Sequence, residues 1–199
     1  MAQYISVDVG GTQLRAACFS SGNRHPDQVM RSSTKGAESD DPEETALDRL
    51  IMLIQDIIPK QNDVLAISVA VPGPVDPETG TLLNAPNIPG WINLPLRQIL
   101  EDRFQIPVLL GNDANLAALG EWKYGAGTGH HHLIYLTIST GIGGGVIIND
   151  QLLIGAKGLA GELGHITVMQ DGPLCSCGQR GHLEALASGT AIAQWVTDE

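Results

Sequence analysis

Aromatic side chains are scarce in this chain: two Phe, three Tyr and three Trp among 199 residues. A recognition surface built on clustered aromatic anchors is therefore a poor fit, and a compact α/β domain of the enzyme type is a better one. Basic residues are short as well. Lys and Arg total 11 against 22 Asp and Glu, a formal net charge of -11, which opposes nucleic acid or an anionic membrane surface as partner. No apolar run reaches transmembrane length, and Met1-Ala2-Gln3 leads directly into a strand pattern, so neither a membrane span nor a signal peptide is expected. Cysteine is rare and odd in number, with Cys18, Cys175 and Cys177 alone. Two of them crowd one glycine-rich loop, which reads as a metal site in a reducing compartment rather than a disulfide frame, with the cytoplasm as default location. Cys18 lies on an apolar strand and is most simply a core residue.

What is present is hydrophobic periodicity of two kinds. Residues 3–9, 13–19 and 27–33 read as three consecutive strands. Asp41-Pro42-Glu43-Glu44 has the grammar of a helix start, with Asp41 as N-cap and Pro42 at the first helical position. Apolar residues at helical spacing follow from Ala46 until Pro59 stops them. Val64 to Val71 is a continuous apolar run of the kind buried on both faces in a parallel sheet. A Pro- and Gly-rich loop is expected from Pro72 to Trp91, then a helix from Leu94 to Phe104, a strand from Pro107 to Leu110 and a helix from Asn115 to Tyr124. This βββαβα order predicts a mixed-sheet domain over 1–112. A second domain over 113–199 opens with a connector, Gly125 to His132, and a new hairpin: Leu133–Ile138, a glycine cluster, Val146–Ile148 and a tight turn at Asn149-Asp150. The region Gly181 to Trp195 has the spacing of one helix.

Two glycine-rich segments carry the same chemistry. In Asp8-Val9-Gly10-Gly11-Thr12 the glycines let backbone amides approach an anion, Asp8 can hold Mg²⁺ through water, and the Thr12 hydroxyl can donate to a phosphate oxygen. Thr140-Gly141-Ile142-Gly143-Gly144-Gly145 repeats that pattern downstream, which suggests a cleft between two similar halves. Gly-Gly turns are also ordinary hairpin connections. The strand ending near Leu110 delivers Gly111-Asn112-Asp113 to a helix start. A residue there serves either as a helix cap or as a general base at the carboxyl end of a strand, where α/β sheets place their ligands. Glu162 and His165 are three apart, close enough to share a face of one helical turn. His165, Cys175, Cys177 and His182 form a Cys2His2 set suited to tetrahedral Zn²⁺, the alternative being two incidental thiols beside a surface histidine. His130-His131-His132 reads as a solvated connector. The loops at Pro72-Gly73-Pro74-Val75-Asp76 and Asn84-Ala85-Pro86-Asn87-Ile88-Pro89-Gly90-Trp91 are explained by turn chemistry, although long loops after a buried strand often line a cleft.

Together these stretches resemble the ROK family of sugar kinases, and within it the bacterial glucokinase branch, from Asp8 to about Ala191. The segments that carry the resemblance are Asp8–Thr12, Gly111–Asn115, Ser139–Gly145, Gly158–His165 and, for the branch, Ala85–Trp91. The resemblance implies an α/β actin-like (ribonuclease H-like) fold of two domains closing over ATP and a hexose. It implies Asp113 as the base that activates the sugar 6-hydroxyl, with Asn112, Glu162, His165 and Glu184 bonded to the pyranose hydroxyls and Gly73 and Asn87 near them. It assigns Mg²⁺ to Asp8 and the phosphates to Gly10, Gly11, Thr12, Thr140, Gly141 and Gly143. The family's zinc loop usually runs Cys-x-Cys-Gly-x-x-Gly-Cys-x-Glu. Here His182 replaces the third cysteine, and a structural zinc with His182 as fourth ligand is expected. Family members continue for roughly another half-domain that holds most of the adenosine pocket, so the second domain is expected to be incomplete. A chain complete as it stands would bind nucleotide weakly, expose strand edges and self-associate as a homodimer or higher homo-oligomer.

Glucose is the leading substrate on this reading, with fructose, mannose, allose or an N-acetylated amino sugar as alternatives, and ATP or polyphosphate as donor. A sugar-binding fragment without catalysis is a further alternative. The family's repressors carry a helix-turn-helix before the phosphate motif, and the acidic balance opposes DNA binding. A dinucleotide site fits poorly, because Gly141-x-Gly143 leads into the strand-like Val146-Ile147-Ile148 rather than a helix. No P-loop motif occurs.

Overall fold

The computed structural model describes residues 1–35, 45–60 and 63–197. The chain separates into two compact units, Met1–Asp113 and Ala114–Glu199. In the first, the alternating patterns become β1 (Gln3–Val9), β2 (Gln13–Ser20) and β3 (Gln28–Ser33), joined by β4 (Val64–Val71) and β8 (Val108–Asn112). The sheet order is β3-β2-β1-β4-β8; β1, β2 and β3 pair antiparallel, while β4 runs parallel to both β1 and β8. Period-two alternation turns Ile5, Val7 and Val9 of β1 inward, against Leu14, Ala16 and Cys18 of β2. Burial pushes the Cys18 thiol pKa up, with the nearby Asp27 adding to the effect, as befits a core cysteine.

Helix α1 (Ala46–Ile57) starts one residue after Thr45. The Thr45 side chain accepts from the Asp48 amide at 3.2 Å, and the Asp48 carboxylate accepts from the Thr45 amide at 3.0 Å. Thr45 is therefore the N-cap of the described helix; the Asp41-Pro42 start read from sequence lies outside the described residues. Leu50, Leu53, Ile54 and Ile57 form its buried stripe. Each such side chain taken out of water contributes about 1.5–3 kcal/mol. Helix α2 (Leu96–Phe104) adds Leu96 and Leu100 to the same core.

Two expectations fail in this unit. Strand β4 is not sealed on both faces: Ile67, Val69 and Val71 are buried but Leu65 is 53% exposed, because the helices' buried residues join one core on one side of the sheet. The Pro72–Trp91 segment is not only loop. It folds into a small antiparallel sheet with α2's leading strand, β5 (Val75–Asp76), β6 (Thr81–Asn84) and β7 (Ile92–Leu94), whose Leu82 and nearby Trp91 are buried.

The second unit begins within helix α3 (Asp113–Tyr124) and contains β9 (Leu133–Ile138), β10 (Ile142–Ile148) and β11 (Gln151–Leu152) in the order β11-β10-β9. Asn149 and Asp150 both have positive φ, 50° and 64°, and make the expected tight turn. Within the glycine cluster Ile142 to Gly145 are strand, and only Thr140 and Gly141 lie in the bend before it. A Cβ on Gly143 would lie 2.9 Å from the Ala114 Cβ, and one on Gly145 would lie 2.5 Å from the Ala118 Cβ. The glycines thus let the small-residue face of α3 lie directly on β10. The last helical region is broken in two, α4 (Leu183–Ala187) and α5 (Gly189–Thr197). Ser188 between them accepts from the Ala191 amide at 3.2 Å, a cap that starts a new helix rather than prolonging the old one. Among the described residues no helix is long and apolar enough to cross a membrane.

Candidate functional site

In the first unit, strand pairing carries Asp8 and Val9 up to the Gly10–Thr12 turn, which closes with the Gly10 amide donating to the Gln13 carbonyl at 3.0 Å. A Cβ on Gly11 would stand 2.7 Å from the Asn87 Cβ, so the absence of a side chain there brings Asn87 against the turn. The turn is held from behind by Thr34, whose hydroxyl donates to the Gly10 carbonyl at 2.6 Å and whose amide donates to the Thr12 carbonyl at 3.0 Å. Sequence reading passed over Thr34 because a threonine closing a strand carries no distinguishing pattern.

Gly73 and Asn112 also meet. Gly73 has φ +102° and a Cβ there would sit 2.1 Å from the Asn84 carbonyl oxygen, so glycine is required on both counts. Its own carbonyl accepts from Asn112 Nδ2 at 3.2 Å. Asn112 is the last residue of β8, in register with Val71 of β4, and Asp113 is the first residue of α3. Asp113 thus stands where the carboxyl end of a parallel strand passes into a helix N-terminus.

In the second unit, Ser139, Thr140 and Gly141 make the bend between β9 and β10, with the Ser139 amide donating to the Gly141 carbonyl at 2.9 Å. Residues from α5 hold it: the Gly189 amide donates to the Ser139 carbonyl at 2.7 Å and the Thr190 hydroxyl to the Thr140 carbonyl at 2.8 Å. A cavity of about 500 Å³ lies here, lined by Ser139, Thr140, Gly189, Thr190, Ala193, Gln194 and Thr197. Thr190 and Gln194 were not among the residues expected, since helical spacing alone does not mark a polar helix face as functional. Gly141 has a packing reason as well, because a Cβ on it would lie 2.4 Å from Glu184 Oε2. That oxygen accepts from the Ile142 amide at 2.9 Å, and Glu184 Oε1 accepts from the Ser176 hydroxyl at 2.9 Å. Ser176, like Thr34, was not among the residues expected.

His165 ends a short 3-10 turn, Leu163–His165, immediately after Glu162. One ring nitrogen, Nδ1, is 3.6 Å from Cys175 Sγ, while Nε2 is 3.9 Å from a Glu162 carboxylate oxygen. Cys177 Sγ is 3.3 Å from His182 Nδ1, and the two imidazoles stand edge to face with centroids 5.4 Å apart. Ligand atoms of His165, Cys175, Cys177 and His182 all lie within 4.8 Å of one another. Tetrahedral zinc with bonds of about 2.0–2.3 Å places its ligand atoms roughly 3.3–3.8 Å apart; the two Cys–His pairs, at 3.6 and 3.3 Å, match that spacing, so this donor set suits the ion. His182 is 7% exposed and points inward rather than to solvent. The loop is set by backbone: the Cys175 amide donates to the Gln179 carbonyl at 2.7 Å, and the Gly178 amide donates back to the Cys175 carbonyl at 2.9 Å. Burial is the main cause that raises the Cys175 thiol pKa. The His130–His132 segment joins no such cluster among the described residues; His131 pairs instead with Asp150 at 2.8 Å.

Comparison with known proteins identifies the family. Residues 4–199 match the ROK family. A glucokinase of Thermotoga maritima is 38% identical over 194 residues, covering 98% of this chain and 60% of the relative. A xylose repressor of Bacillus subtilis is 40% identical over 168 residues, covering 82% of this chain and 43% of the relative. The crystal structure of a ROK family glucokinase from Streptomyces griseus, in complex with glucose and AMPPNP, superposes with a TM-score of 0.83 at 37% identity, covering 99% of this chain and 61% of that one. The chain thus spans about three-fifths of the length of the glucokinases it matches. Its mixed sheet is that of the actin-like ATPase fold, and the chain belongs to the ROK family.

Proposed function

We propose that this chain carries sugar- and phosphate-binding parts of an ATP-dependent hexose kinase that phosphorylates the 6-hydroxyl of glucose. The observation that supports this most is the position of Asp113, a carboxylate at the end of a parallel strand and the start of a helix, next to an Asn112 tied to Gly73. In this role Asp113 takes the proton of the 6-hydroxyl as its oxygen attacks the γ-phosphorus and the bond to the leaving ADP oxygen breaks. In the first unit Asn112 bonds a pyranose hydroxyl, with Gly73 and Asn87 beside it; in the second unit Glu162, His165 and Glu184 are the groups that bond pyranose hydroxyls. The amides of Gly11 and Gly141, with the hydroxyls of Thr12 and Thr140, receive phosphate oxygens; Gly10, whose amide closes the first turn on the Gln13 carbonyl, shapes that turn, and Gly143 keeps β10 close to α3. Asp8 would hold Mg²⁺, and the ion would supply neutralisation of the charge on the transferring group. One zinc on His165, Cys175, Cys177 and His182 is structural and fixes the loop that carries Ser176 beside Glu184. The protein works in the cytoplasm as a homodimer or higher homo-oligomer.

A coupled assay across glucose, fructose, mannose, allose and N-acetylated amino sugars, with ATP or polyphosphate as donor, tests this reading. Turnover with glucose and ATP exceeding that with the other pairs supports it, and absence of phosphoryl transfer to any sugar contradicts it. A second reading, sugar binding without phosphoryl transfer, draws on the similarity to the xylose repressor. Calorimetry separates the two: sugar binding without Mg·ATP binding favours the second.

A further inference from the structure

Two polar side chains buried in the first unit have no place in the function so far. Thr34 is 4% exposed and Arg49, on α1, is 7% exposed, beside a core that is mostly aliphatic. Burying a hydroxyl and a guanidinium is costly unless they are hydrogen-bonded, and a valine with a leucine would fill comparable space without that cost. A hydrogen bond from Arg49 and two from Thr34 lead to the first glycine turn. Arg49 Nη1 donates to the Thr34 carbonyl at 3.4 Å. The Thr34 hydroxyl donates to the Gly10 carbonyl at 2.6 Å and the Thr34 amide to the Thr12 carbonyl at 3.0 Å.

The consequence follows from peptide planarity. No described peptide is cis, and in a planar trans peptide the carbonyl and the following amide point in opposite directions. A Gly10 carbonyl fixed on Thr34 therefore turns the Gly11 amide away from the core, and a Thr12 carbonyl fixed the same way turns the Gln13 amide outward. Glycine dihedrals are otherwise free to flip this peptide. An anion site works best when its donors are aimed before the ligand arrives, since no reorientation is then needed on binding.

We infer that Thr34, held by Arg49, is the positioning residue of the first glycine turn: it anchors two turn carbonyls so that the Gly11 amide is preset to meet a phosphate oxygen. This rests on the nucleotide reading of Gly10–Thr12 above. Thr34 touches neither substrate nor metal; it acts through the turn.

The test is amide NMR on the ¹⁵N-labelled chain, titrated with Mg·AMPPNP and, separately, with inorganic triphosphate. In the wild type the Gly11 resonance shifts with either probe. Thr34→Val removes only the hydroxyl's bond. It is expected to weaken affinity for both probes about tenfold, to leave glucose affinity within twofold, and to be rescued by Thr34→Ser, which restores the donor. A folded Thr34→Val protein with wild-type affinity overturns the inference, even where its melting temperature falls. Should that variant not fold, hydrogen exchange on the wild type decides: the Thr34 amide is expected to be protected without ligand, and the Gly11 amide only with Mg·AMPPNP. A Thr34 amide exchanging at an unprotected rate overturns the inference. A wild-type Gly11 amide that ignores both probes removes the nucleotide reading itself, and this inference with it.

Discussion

Gly73→Ala, compared with Gly90→Ala, isolates one steric contact that shapes the site. Both glycines have positive φ, +102° and +81°, so alanine is strained at either. Gly90 has nothing within 4 Å of an added Cβ, and its substitution carries the backbone term alone, offset in part by the stiffer unfolded chain. That leaves about 1 kcal/mol. At Gly73 the added carbon would sit 2.1 Å from the Asn84 carbonyl oxygen, a backbone atom that no rotamer change can move. Relieving such overpacking costs a further ~1–3 kcal/mol. The shift also breaks the Asn112 bond to the Gly73 carbonyl, worth about 1 kcal/mol. Gly73→Ala should therefore be less stable than Gly90→Ala by about 2–4 kcal/mol, a difference of at least about thirtyfold in the folded-to-unfolded ratio. Urea unfolding followed by Trp91 fluorescence measures it, because Trp91 is buried in the first unit while Trp122 and Trp195 belong to the second. Equal stability of the two variants would refute the packing argument.

Other consequences are open to similar measurement. Gly145→Ala, whose Cβ would approach the Ala118 Cβ to 2.5 Å, should destabilise the second unit by roughly 1–3 kcal/mol, read by calorimetric unfolding. Purified protein should contain one zinc, and cobalt substituted for it should give the intense bands of thiolate ligation; His182→Ala should weaken retention against a chelator at least tenfold, while His130→Ala should not. Thr45→Ala removes the cap of α1 and should cost about 1 kcal/mol at neutral pH. Hydrogen bonds from Thr45 hold the Asp48 carboxyl below its ordinary pKa. Such a depressed acid contributes above its unfolded pKa and loses that contribution as pH falls through the folded value. The gap between wild type and Thr45→Ala should thus shrink in urea titrations taken from pH 7 to below pH 3.

The sequence made the main sheet readable because Ile5, Val7 and Val9, and the stripe from Leu50 to Ile57, obey periods that only one secondary structure satisfies. The Cys2His2 cluster was readable from residue type and spacing alone. Short strands such as Val75–Asp76 were not, since Pro74 and Pro77 around them speak only of turns, and two residues paired with Leu82 and Thr81 are too few to show a period. Gly143 to Gly145 read as a loop because glycine disfavours strands; packing against Ala114 and Ala118 outweighs that preference, and nothing local announces it. The break at Ser188 has the same origin, as the Gly189 amide is tied to Ser139 fifty residues earlier in the chain. Thr34 and Ser176 act only through backbone or side-chain partners that the fold brings to them.

In the proposed mechanism one carboxylate, Asp113, removes the proton from the sugar hydroxyl. Steady-state phosphorylation of glucose by wild type and Asp113→Asn tests it most directly, because the amide keeps shape and cannot take the proton. The expected result is a kcat lower by about 10²–10⁴ with glucose affinity nearly kept; a variant that turns over within a few-fold of wild type would contradict it.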